Sequence, residues 1–435
     1  MTIASASGNS TEVIVRESGP RGINGTAGTD GVGFNNVRKL LLDNPTLRLY
    51  VKNRFAEVLS STVSVTRSTI GTYKDLQNII KSEIVDGPRE SKEGWLFEPA
   101  RTNIVLQSQT FNTTWVQSNL TISADALAAP DETVTADQLI ESAGSSIKDI
   151  SQAVTVANTT EYTLSVFAKA NSRNFIYLQD TANSSDGAYF NLATGAIGTI
   201  DAGITAKIEP LINGWYRCSI QSTSTTTSGG IKIQLADADQ GGAYTGDASS
   251  GCYLWGAQLE LSGFETSYIA TVAASVLRGA DINTFKSLNN IPFLQDGFSV
   301  ILRLGSYDEQ SVSSDILIFP DATSGNVFRI GTSSGGKWEA TIKGSDAVDY
   351  DATTAITAES TSSQTIIVTV SSIGVINIYI DGNVVNGTAT VATALNGTID
   401  SAGVATITGD FKTKIQELKI LDYVLNSDEI DLLNS

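Results

Sequence analysis

The sequence contains no histidine among its 435 residues. This absence removes the side chain that most often serves as a general base or a metal ligand, and it excludes a Ser-His-Asp catalytic triad. Only two cysteines are present, Cys218 and Cys252, which is too few for a disulfide framework. We expect both to be small buried apolar side chains, with one bridge between them as the alternative.

Charged residues are also scarce, at 17% of the chain, and their balance gives a formal net charge of −18. An acidic chain without basic clusters repels phosphate backbones, so we expect no nucleic-acid partner. No apolar run approaches ~18 residues, so no membrane insertion is expected. Residues 1–10 have neither the basic nor the apolar part of a secretory signal.

Glycine occupies every third position of one N-terminal run, at Gly19, Gly22, Gly25, Gly28 and Gly31. This period is typical of collagen, in which three chains wind together and only glycine fits at the axis. The run predicts a homotrimer, with a flexible linker as the alternative because Pro20 is its one proline. Phe34, Val37 and Leu41 follow at helical spacing. Three such helices would pack about the trimer axis, or each would pack on its own subunit.

Most of the remaining chain consists of short stretches rich in valine and isoleucine, separated by polar turns, which is typical of all-β proteins. The length exceeds what one core can organise. We therefore predict an all-β fold with two tandem β-sandwich (jelly-roll) domains after a short collagen-like and helical stem. The expected segments are an attachment segment 1–18, a collagen-like run 19–33, a helical and extended connector 34–93, a jelly roll 94–272, a linker 273–290 and a second sandwich 291–435.

Three local patterns make sharper predictions. In the connector, Tyr73, Ile80 and Ile84 would share one face of a helix over residues 73–85. Near the C-terminus, Asp381-Gly382 follows an alternating strand and suits a type I′ hairpin turn. Asn426 and Glu429 have the spacing of a helix capping box.

Residues 94–103 read Gly-Trp-Leu-Phe-Glu-Pro-Ala-Arg-Thr-Asn, an apolar strand followed by a turn that Arg101 and Asn103 can fix by hydrogen bonds. This stretch resembles a signature of phage tail-fibre and tail-spike proteins. Other motifs of that group occur in the same order, at residues 65–67, 111–115, 189–195, 214–217, 255–260, 266–269 and 278–281. The resemblance spans roughly residues 60–281 and implies a phage structural protein with a carbohydrate-binding-module-like jelly roll.

The C-terminal part, over residues 291–433, resembles concanavalin A-like (laminin-G-like) lectin domains. The hairpin at Asp381-Gly382 and the capped terminal helix carry this resemblance. It implies a lectin-type sandwich but indicates little about the ligand, because such folds host many functions.

Enzyme activity is not expected. Glycoside hydrolysis requires two carboxylates across a cleft. Laminarinase-like relatives of the second fold place them as Glu-x-Asp-x-x-Glu, a spacing that the sequence does not contain. We expect no catalytic residue and no cofactor. A structural Ca²⁺ held by oxygen ligands is the alternative, at Asp346, Asp349 and Asp351 or at Asp237 and Asp239.

Sugar binding requires flat aromatic rings with polar partners. The predicted carbohydrate-binding residues are Trp338, Tyr177 and Trp115, with core packing as the alternative. Trp338 follows Ser-Ser-Gly-Gly-Lys, which indicates an exposed position at a turn edge. Trp215 and Trp255 lie inside alternating strands, so we expect them in the core.

These features predict a homotrimeric phage tail fibre or receptor-binding protein that is assembled in the host cytoplasm and carried on the virion. Its N-terminus would bind a tail or baseplate protein. Its sandwiches would bind host cell-surface polysaccharide or lipopolysaccharide, three weak sites gaining avidity on one fibre. A purely structural fibre component and a polysaccharide depolymerase are the alternatives.

Overall fold

The structure is a computed structural model that describes residues 50–51, 55–56, 63–91, 94–184, 186–285, 297–305, 314–320, 327–333, 337–343, 349–357, 363–390, 406–407, 412–421 and 423–433. The expectations for the attachment segment, the Gly-x-y run and the first helix lie outside these residues. They include the stem residues Gly19, Gly22, Gly25, Gly28, Gly31, Phe34, Val37 and Leu41. Within the described part, no helix is long and apolar enough to cross a bilayer.

The described chain is built almost wholly of β-strands. The first are β1 (Tyr50–Val51), β2 (Phe55–Ala56), β3 (Val63–Thr66), β4 (Gly71–Lys74), β5 (Ile80–Glu83), β6 (Glu90–Ser91), β7 (Gly94–Phe97) and β8 (Arg101–Asn103). Next come β9 (Val116–Ser118), β10 (Leu120–Ala128), β11 (Val134–Glu141), β12 (Gly144–Ser146), β13 (Lys148–Thr155), β14 (Glu161–Ala170), β15 (Phe175–Asp180), β16 (Asp186–Asn191), β17 (Ala196–Ile200), β18 (Thr205–Pro210), a 3-10 turn (Ile212–Gly214), β19 (Trp215–Thr223), β20 (Ser228–Ala236), β21 (Tyr244–Gly246), β22 (Gly251–Glu260) and β23 (Val276–Arg278). The last are β24 (Ile282–Phe285), β25 (Phe298–Leu304), β26 (Ser314–Pro320), β27 (Val327–Thr332), β28 (Lys337–Lys343), β29 (Asp349–Thr357), β30 (Gln364–Val370), β31 (Val375–Ile380), β32 (Asn383–Thr390), β33 (Thr406–Ile407), β34 (Thr413–Leu421) and helix α1 (Ser427–Leu433).

The first sandwich consists of two six-stranded antiparallel sheets. Their strand orders are β10-β11-β22-β14-β19-β18 and β17-β16-β15-β20-β13-β9. Alternate residues of each strand face a shared core, which includes Ile150, Ile176, Phe190 and Ile233. The strands are rich in β-branched and aromatic residues that suit a pleated, half-buried surface. The predicted all-β sandwich is confirmed here.

The second sandwich contains strands from distant parts of the chain. Its two seven-stranded sheets have the orders β29-β28-β27-β26-β33-β24-β3 and β32-β31-β30-β25-β34-β7-β6. Strand β7 pairs with β34, with Trp95 opposite Ile415 and Phe97 opposite Thr413. Strand β3 pairs with β24, with Thr66 opposite Ile282. Trp95 and Phe97 are members of the second core.

This pairing differs from the domain boundaries expected from the sequence. Residues 94–97 were expected to begin the jelly roll and 273–290 to be a linker, yet β7 and β24 are strands of the second sandwich. The first sandwich, residues 101–278, is therefore inserted into the second. Its two ends meet, because β8 pairs with β23 and Arg101 lies opposite Arg278. Pairing between residues so distant in sequence cannot be deduced from local patterns.

The helix predicted over residues 73–85 is wrong: β4 and β5 form an antiparallel hairpin there. The Asp75 carboxylate accepts hydrogen bonds from the backbone N–H of Gln77 at 2.8 Å and of Ile79 at 3.0 Å. Asn78 has a φ of 63°, in the left-handed region. An aspartate that bonds its own backbone favours a turn over a helix, and this turn splits the apolar pattern into two strands.

The other two local predictions are confirmed. Asp381 and Gly382 join β31 to β32 with φ values of 49° and 80°, as a type I′ turn requires. In the capping box of α1, the Glu429 N–H donates to Asn426 Oδ1 at 3.0 Å and the Asn426 N–H donates to Glu429 Oε2 at 3.1 Å.

The motifs at residues 65–67, 94–103 and 278–281 meet at the joint between the sandwiches. They contribute to a buried ion-pair cluster, in which every member is at most 4% exposed: Arg67, Arg89, Glu98, Arg278 and Asp281. Arg89 Nη1 lies 2.7 Å from Glu98 Oε2, and its other terminal nitrogen bonds Asp281. Arg67 Nη1 lies 2.9 Å from Asp281 Oδ1. Arg67, Glu98 and Asp281, one residue from each of these three motifs, therefore hold the joint together.

Asn103 fixes the start of the first sandwich. Its amide nitrogen donates to the carbonyls of Ala257 at 3.1 Å and Ile269 at 2.8 Å. Its amide oxygen accepts from the N–H groups of Val105 and Leu259, each at 3.1 Å. The expectation that Asn103 orders this turn by hydrogen bonds is confirmed.

Cys218 and Cys252 are both free and fully buried in the first core, which confirms the prediction of two buried apolar residues. Burial raises the pKa of the Cys218 thiol well above its usual value and that of Cys252 to about 12. Because the thiolate is the reactive form, we expect neither thiol to react with an aromatic disulfide reagent in the native protein. Both should react once the chain is unfolded in denaturant. Fast labelling of either thiol in the native state would contradict this burial.

Candidate carbohydrate-binding surfaces

Two of the three aromatic residues predicted to bind sugar lie in cores. Trp338 is 1% exposed, and its indole N–H donates to Gln364 Oε1 at 3.3 Å. Trp115 is 5% exposed, packs on Phe111 with ring centroids 5.1 Å apart, and donates to the Gln107 carbonyl at 3.2 Å. A covered ring offers no face for a sugar, so the burial does not fit a stacking role for either residue.

The expected exposure of Trp338 is wrong: it is the second residue of β28, and its position beside a turn did not show which face of the strand it occupies. Trp338 takes an inward position of the strand, on the same face as Ala340 and Ile342 in the second core. Trp215 and Trp255 are each 1% exposed, which confirms their predicted place in the core.

The third candidate, Tyr177, lies on the opposite face of its strand from the first core. Its neighbours Ile176 and Leu178 are core members, so Tyr177 faces outward from the sheet. Its ring stacks on Tyr189 of β16, with centroids 4.2 Å apart and planes 15° apart. The Tyr177 hydroxyl donates to Asp201. Burial is the main cause that raises the pKa of Tyr177, and the hydrogen bond to Asp201 raises it further. The phenol therefore stays neutral.

Strand register shows which side chains share this outward face. Across the sheet, Tyr189 lies opposite Tyr177, Tyr177 opposite Gln234 and Gln234 opposite Asp149. The neighbouring row runs from Gln179 to Lys232 and then to Ser151. We call this surface the outer platform, defined by Tyr177, Tyr189, Gln179, Lys232, Gln234, Asp149 and Ser151. Beside the two tyrosine rings it carries amide, hydroxyl, carboxylate and ammonium groups, the polar groups that sugar recognition uses.

The tyrosine end of the outer platform is covered by the turn after β20. The Tyr189 hydroxyl donates to the Gly241 carbonyl at 3.5 Å, and the Gln234 amide donates to the same carbonyl at 3.2 Å. Tyr177 and Tyr189 are therefore only 8% and 9% exposed. They form a wall of the platform, and its open part is the row with Lys232.

Asp149 and Lys232 are the charged pair of the outer platform. Asp149 is 7% exposed, whereas the Lys232 side chain is 31% exposed. The Lys232 ammonium lies 3.9 Å from the Asp149 carboxylate, beyond hydrogen-bond distance. Burial raises the pKa of Asp149, and the charge of Lys232 offsets this only in part.

These two residues were missed from the sequence. Each lies in a strand whose alternation predicts which residues face outward, but nothing in that alternation shows that β13 and β20 are neighbours. Asp149 and Lys232 are 83 positions apart in the chain, and the register that places them together comes from tertiary pairing. The available signal was only a charged residue inside an apolar strand.

The second sandwich has a polar outward face on β27, β28 and β29. Arg329 Nη2 lies 3.7 Å from Glu339 Oε1, and the Thr341 hydroxyl donates to Asp351 at 2.6 Å. Burial is the main cause that raises the pKa of Glu339, and the negative charge of Asp351 raises it further. This face is more acidic than the outer platform and has no aromatic ring among these residues.

Two of the carboxylates considered for Ca²⁺, Asp239 and Asp351, have other partners. Asp239 accepts from the N–H of Thr199 at 2.8 Å and from its hydroxyl at 3.0 Å. Asp351 accepts from Thr341. Asp346 lies outside the described residues. Among the residues that the structure describes, no group of three metal-ligating side chains is found, and a structural Ca²⁺ stays a prediction.

Comparison with known proteins identifies the class of the second sandwich. Residues 287–431 match the family described as the Concanavalin A-like lectin/glucanases superfamily. The C-terminal sandwich is thus similar to concanavalin A-like, lectin-type domains, which agrees with the resemblance inferred from the sequence. The matched region begins after β24, so it omits β3, β6, β7 and β24, which the structure adds to this sandwich.

The chain is also similar to parts of solved structures at low identity. The binding domain of Paraclostridial Mosquitocidal Protein 1 is 13% identical, with 37% of this chain and 43% of that chain covered and a TM-score of 0.30. The heptameric SAP-like pentraxin of Limulus polyphemus is 14% identical, with 35% and 75% covered and a TM-score of 0.28. Domains LG4-5 of the mouse laminin alpha1 chain are 12% identical, with 63% and 90% covered and a TM-score of 0.23.

All three TM-scores are 0.30 or lower. The match also spans less than half of the mosquitocidal binding domain. No curated protein matches this chain.

Proposed function

We propose that this protein is a phage tail fibre or receptor-binding protein that attaches the virion to host cell-surface glycan by non-catalytic binding. The observation that carries the proposal is the lectin-type domain at residues 287–431. The ordered motifs between residues 65 and 281, which resemble those of tail-fibre proteins, support the phage assignment. The outer platform supplies polar groups suited to a saccharide.

In this proposal the chain acts as a homotrimer on the virion. The Gly-x-y run supports the trimer, and the N-terminal segment would bind a tail or baseplate protein. Three copies of a weak site on one fibre would then bind a repetitive polysaccharide or lipopolysaccharide together. Such linkage raises the apparent affinity without tight binding at any single site.

A purely structural fibre component is the second candidate. The observations that favour it are the burial of Trp338 and Trp115 and the buried ion-pair cluster that joins the sandwiches. Sandwiches held rigidly in this way would also serve as spacers. Glycan binding distinguishes the two candidates.

The test is retention of the purified full chain on intact bacteria and on their extracted surface polysaccharide, with released reducing ends measured in the same samples. We expect saturable retention that free polysaccharide competes away, without new reducing ends. Retention with new reducing ends would show a depolymerase. No retention on any strain that the phage infects would favour the structural candidate.

A further inference from the structure

We propose that the outer platform is a saccharide subsite, where Asp149 and Lys232 bind adjacent hydroxyl groups of a neutral sugar ring. This inference rests on the proposed function, glycan binding, and assigns part of that binding to the first sandwich. The second sandwich, which carries the lectin-type match, is a separate surface.

Asp149 is a nearly buried carboxylate that the protein itself bonds poorly. Its residue is 7% exposed, and no donor among the described residues lies within hydrogen-bond distance of its carboxylate. Its nearest charged partner is Lys232 at 3.9 Å. Other buried carboxylates in this sandwich are well bonded: Glu141, for example, accepts from Arg173, from the Tyr244 hydroxyl and from the Asp247 N–H. The Asp149 oxygens are not among the buried side-chain atoms that lack a partner, so solvent reaches them, and two ligand hydroxyls would donate to them in place of water.

The groups beside Asp149 include a cationic donor and neutral polar side chains. Among the described residues, the Lys232 ammonium has one close charged partner, Asp149. The Lys232 side chain is 31% exposed, so its ammonium can donate to a ligand at the open row. Each sugar hydroxyl both donates and accepts, so adjacent hydroxyls can bond a carboxylate and an ammonium together. Gln179 and Ser151 flank this pair in the same row, and Tyr177 forms the apolar wall.

Charge decides the class of sugar. Lys232 is the one cation of the outer platform, whereas Asp149 belongs to it and Asp201 and Asp239 lie at its covered end. The chain as a whole carries a net charge of −18. An anionic sugar would meet this negative potential, so the site suits a neutral saccharide with vicinal hydroxyls.

The test uses the full chain and immobilised probes, with dextran, mannan and galactan as neutral polysaccharides and alginate and hyaluronan as anionic ones. Asp149→Asn and Lys232→Met are the test variants. Glu132→Gln and Lys81→Met are matched controls, because they change an exposed ion pair on the β10–β11 side of the molecule in the same way. Binding is measured by biolayer interferometry, and unfolding is followed for every variant.

We expect the wild type to bind a neutral probe and each test variant to bind it at least about tenfold more weakly, because each variant loses a hydrogen bond between a charged group and the sugar. Both controls should bind like the wild type. Asp149→Asn should unfold at the same or a higher denaturant concentration, because it removes a poorly bonded buried charge; a merely structural role would instead lower this midpoint.

Three results would overturn parts of this account, and they are distinguishable. Test variants that bind like the wild type would remove the outer platform as the subsite and leave the proposed function standing. Binding confined to alginate and hyaluronan would refute the neutral class. A wild-type chain that binds neither these probes nor host polysaccharide would refute the proposed function itself.

Discussion

Residues 291–435 produced alone are expected not to unfold cooperatively, although they contain nearly all of the region that matches the lectin-type family. The fragment lacks β3, β6, β7 and β24, which are four strands of the second sandwich. It also loses Trp95 and Phe97 from the core, and each buried side chain of this kind contributes about 1.5–3 kcal/mol. The loss of β7 exposes the edge of β34, which invites aggregation.

Two companion fragments make this prediction specific. Residues 101–278 contain both six-stranded sheets of the first sandwich and should show a cooperative unfolding transition. In the second, a short glycine-serine linker replaces residues 102–277 of the full chain and joins Arg101 to Arg278, which lie opposite each other in a paired ladder. This chain keeps β3, β6, β7 and β24 and should recover cooperative unfolding. A stable, monomeric fragment 291–435 would contradict the strand assignment.

Glu98→Gln should lower the free energy of unfolding by about 3–5 kcal/mol, the range for breaking a buried ion pair by removing one partner. Glu98 is 1% exposed and accepts from Arg89 at 2.7 Å and from Ser267 at 2.6 and 2.7 Å. Glutamine would place an amide NH₂ against one of these donors and leave Arg89 and Arg278 with less negative charge. Urea unfolding followed by tryptophan fluorescence measures the change.

The matched control is Glu132→Gln, the same substitution in an exposed ion pair with Lys81. Solvent screens that pair, so its loss should hardly move the urea midpoint. Equal midpoints for the two variants would show that the buried ion-pair cluster does not stabilise the joint.

The same carboxylate predicts how stability depends on pH. Burial alone would raise the pKa of Glu98, but the charges of Arg89 and Arg278 outweigh burial and hold it well below its usual value. Its folded-state pKa is thus lower than its unfolded value of about 4.3, so its contribution is complete above that value and is lost as the pH falls further. The wild type should lose stability more steeply than Glu98→Gln below about pH 4.5. Parallel pH profiles would contradict this.

Local chemistry explains which parts of the fold could be predicted. The type I′ turn at Asp381-Gly382 and the Asn426–Glu429 cap depend on residues that are adjacent or one turn apart, and both are confirmed. The alternating strands indicated an all-β chain for the same reason. The hairpin at β4 and β5 was misread because the apolar spacing fitted a helix, whereas the Asp75 side chain decides the turn.

Nonlocal pairing explains what could not be predicted. The insertion of one sandwich into the other depends on β7 meeting β34, more than 300 residues later in the chain. Trp338 shows the same limit on a small scale, since its place next to a turn does not reveal which face of β28 packs on the core. Tyr177 was predicted as a sugar-binding residue and does lie on an outward face, but its partners Asp149 and Lys232 required the sheet register.

The most direct test of the central claim, attachment through non-catalytic glycan binding, is a titration of the full chain against surface polysaccharide purified from bacteria that the phage infects. The account predicts saturable binding, stronger for the assembled trimer than expected for one site, with no increase in reducing ends. Absence of binding to every such polysaccharide would contradict it.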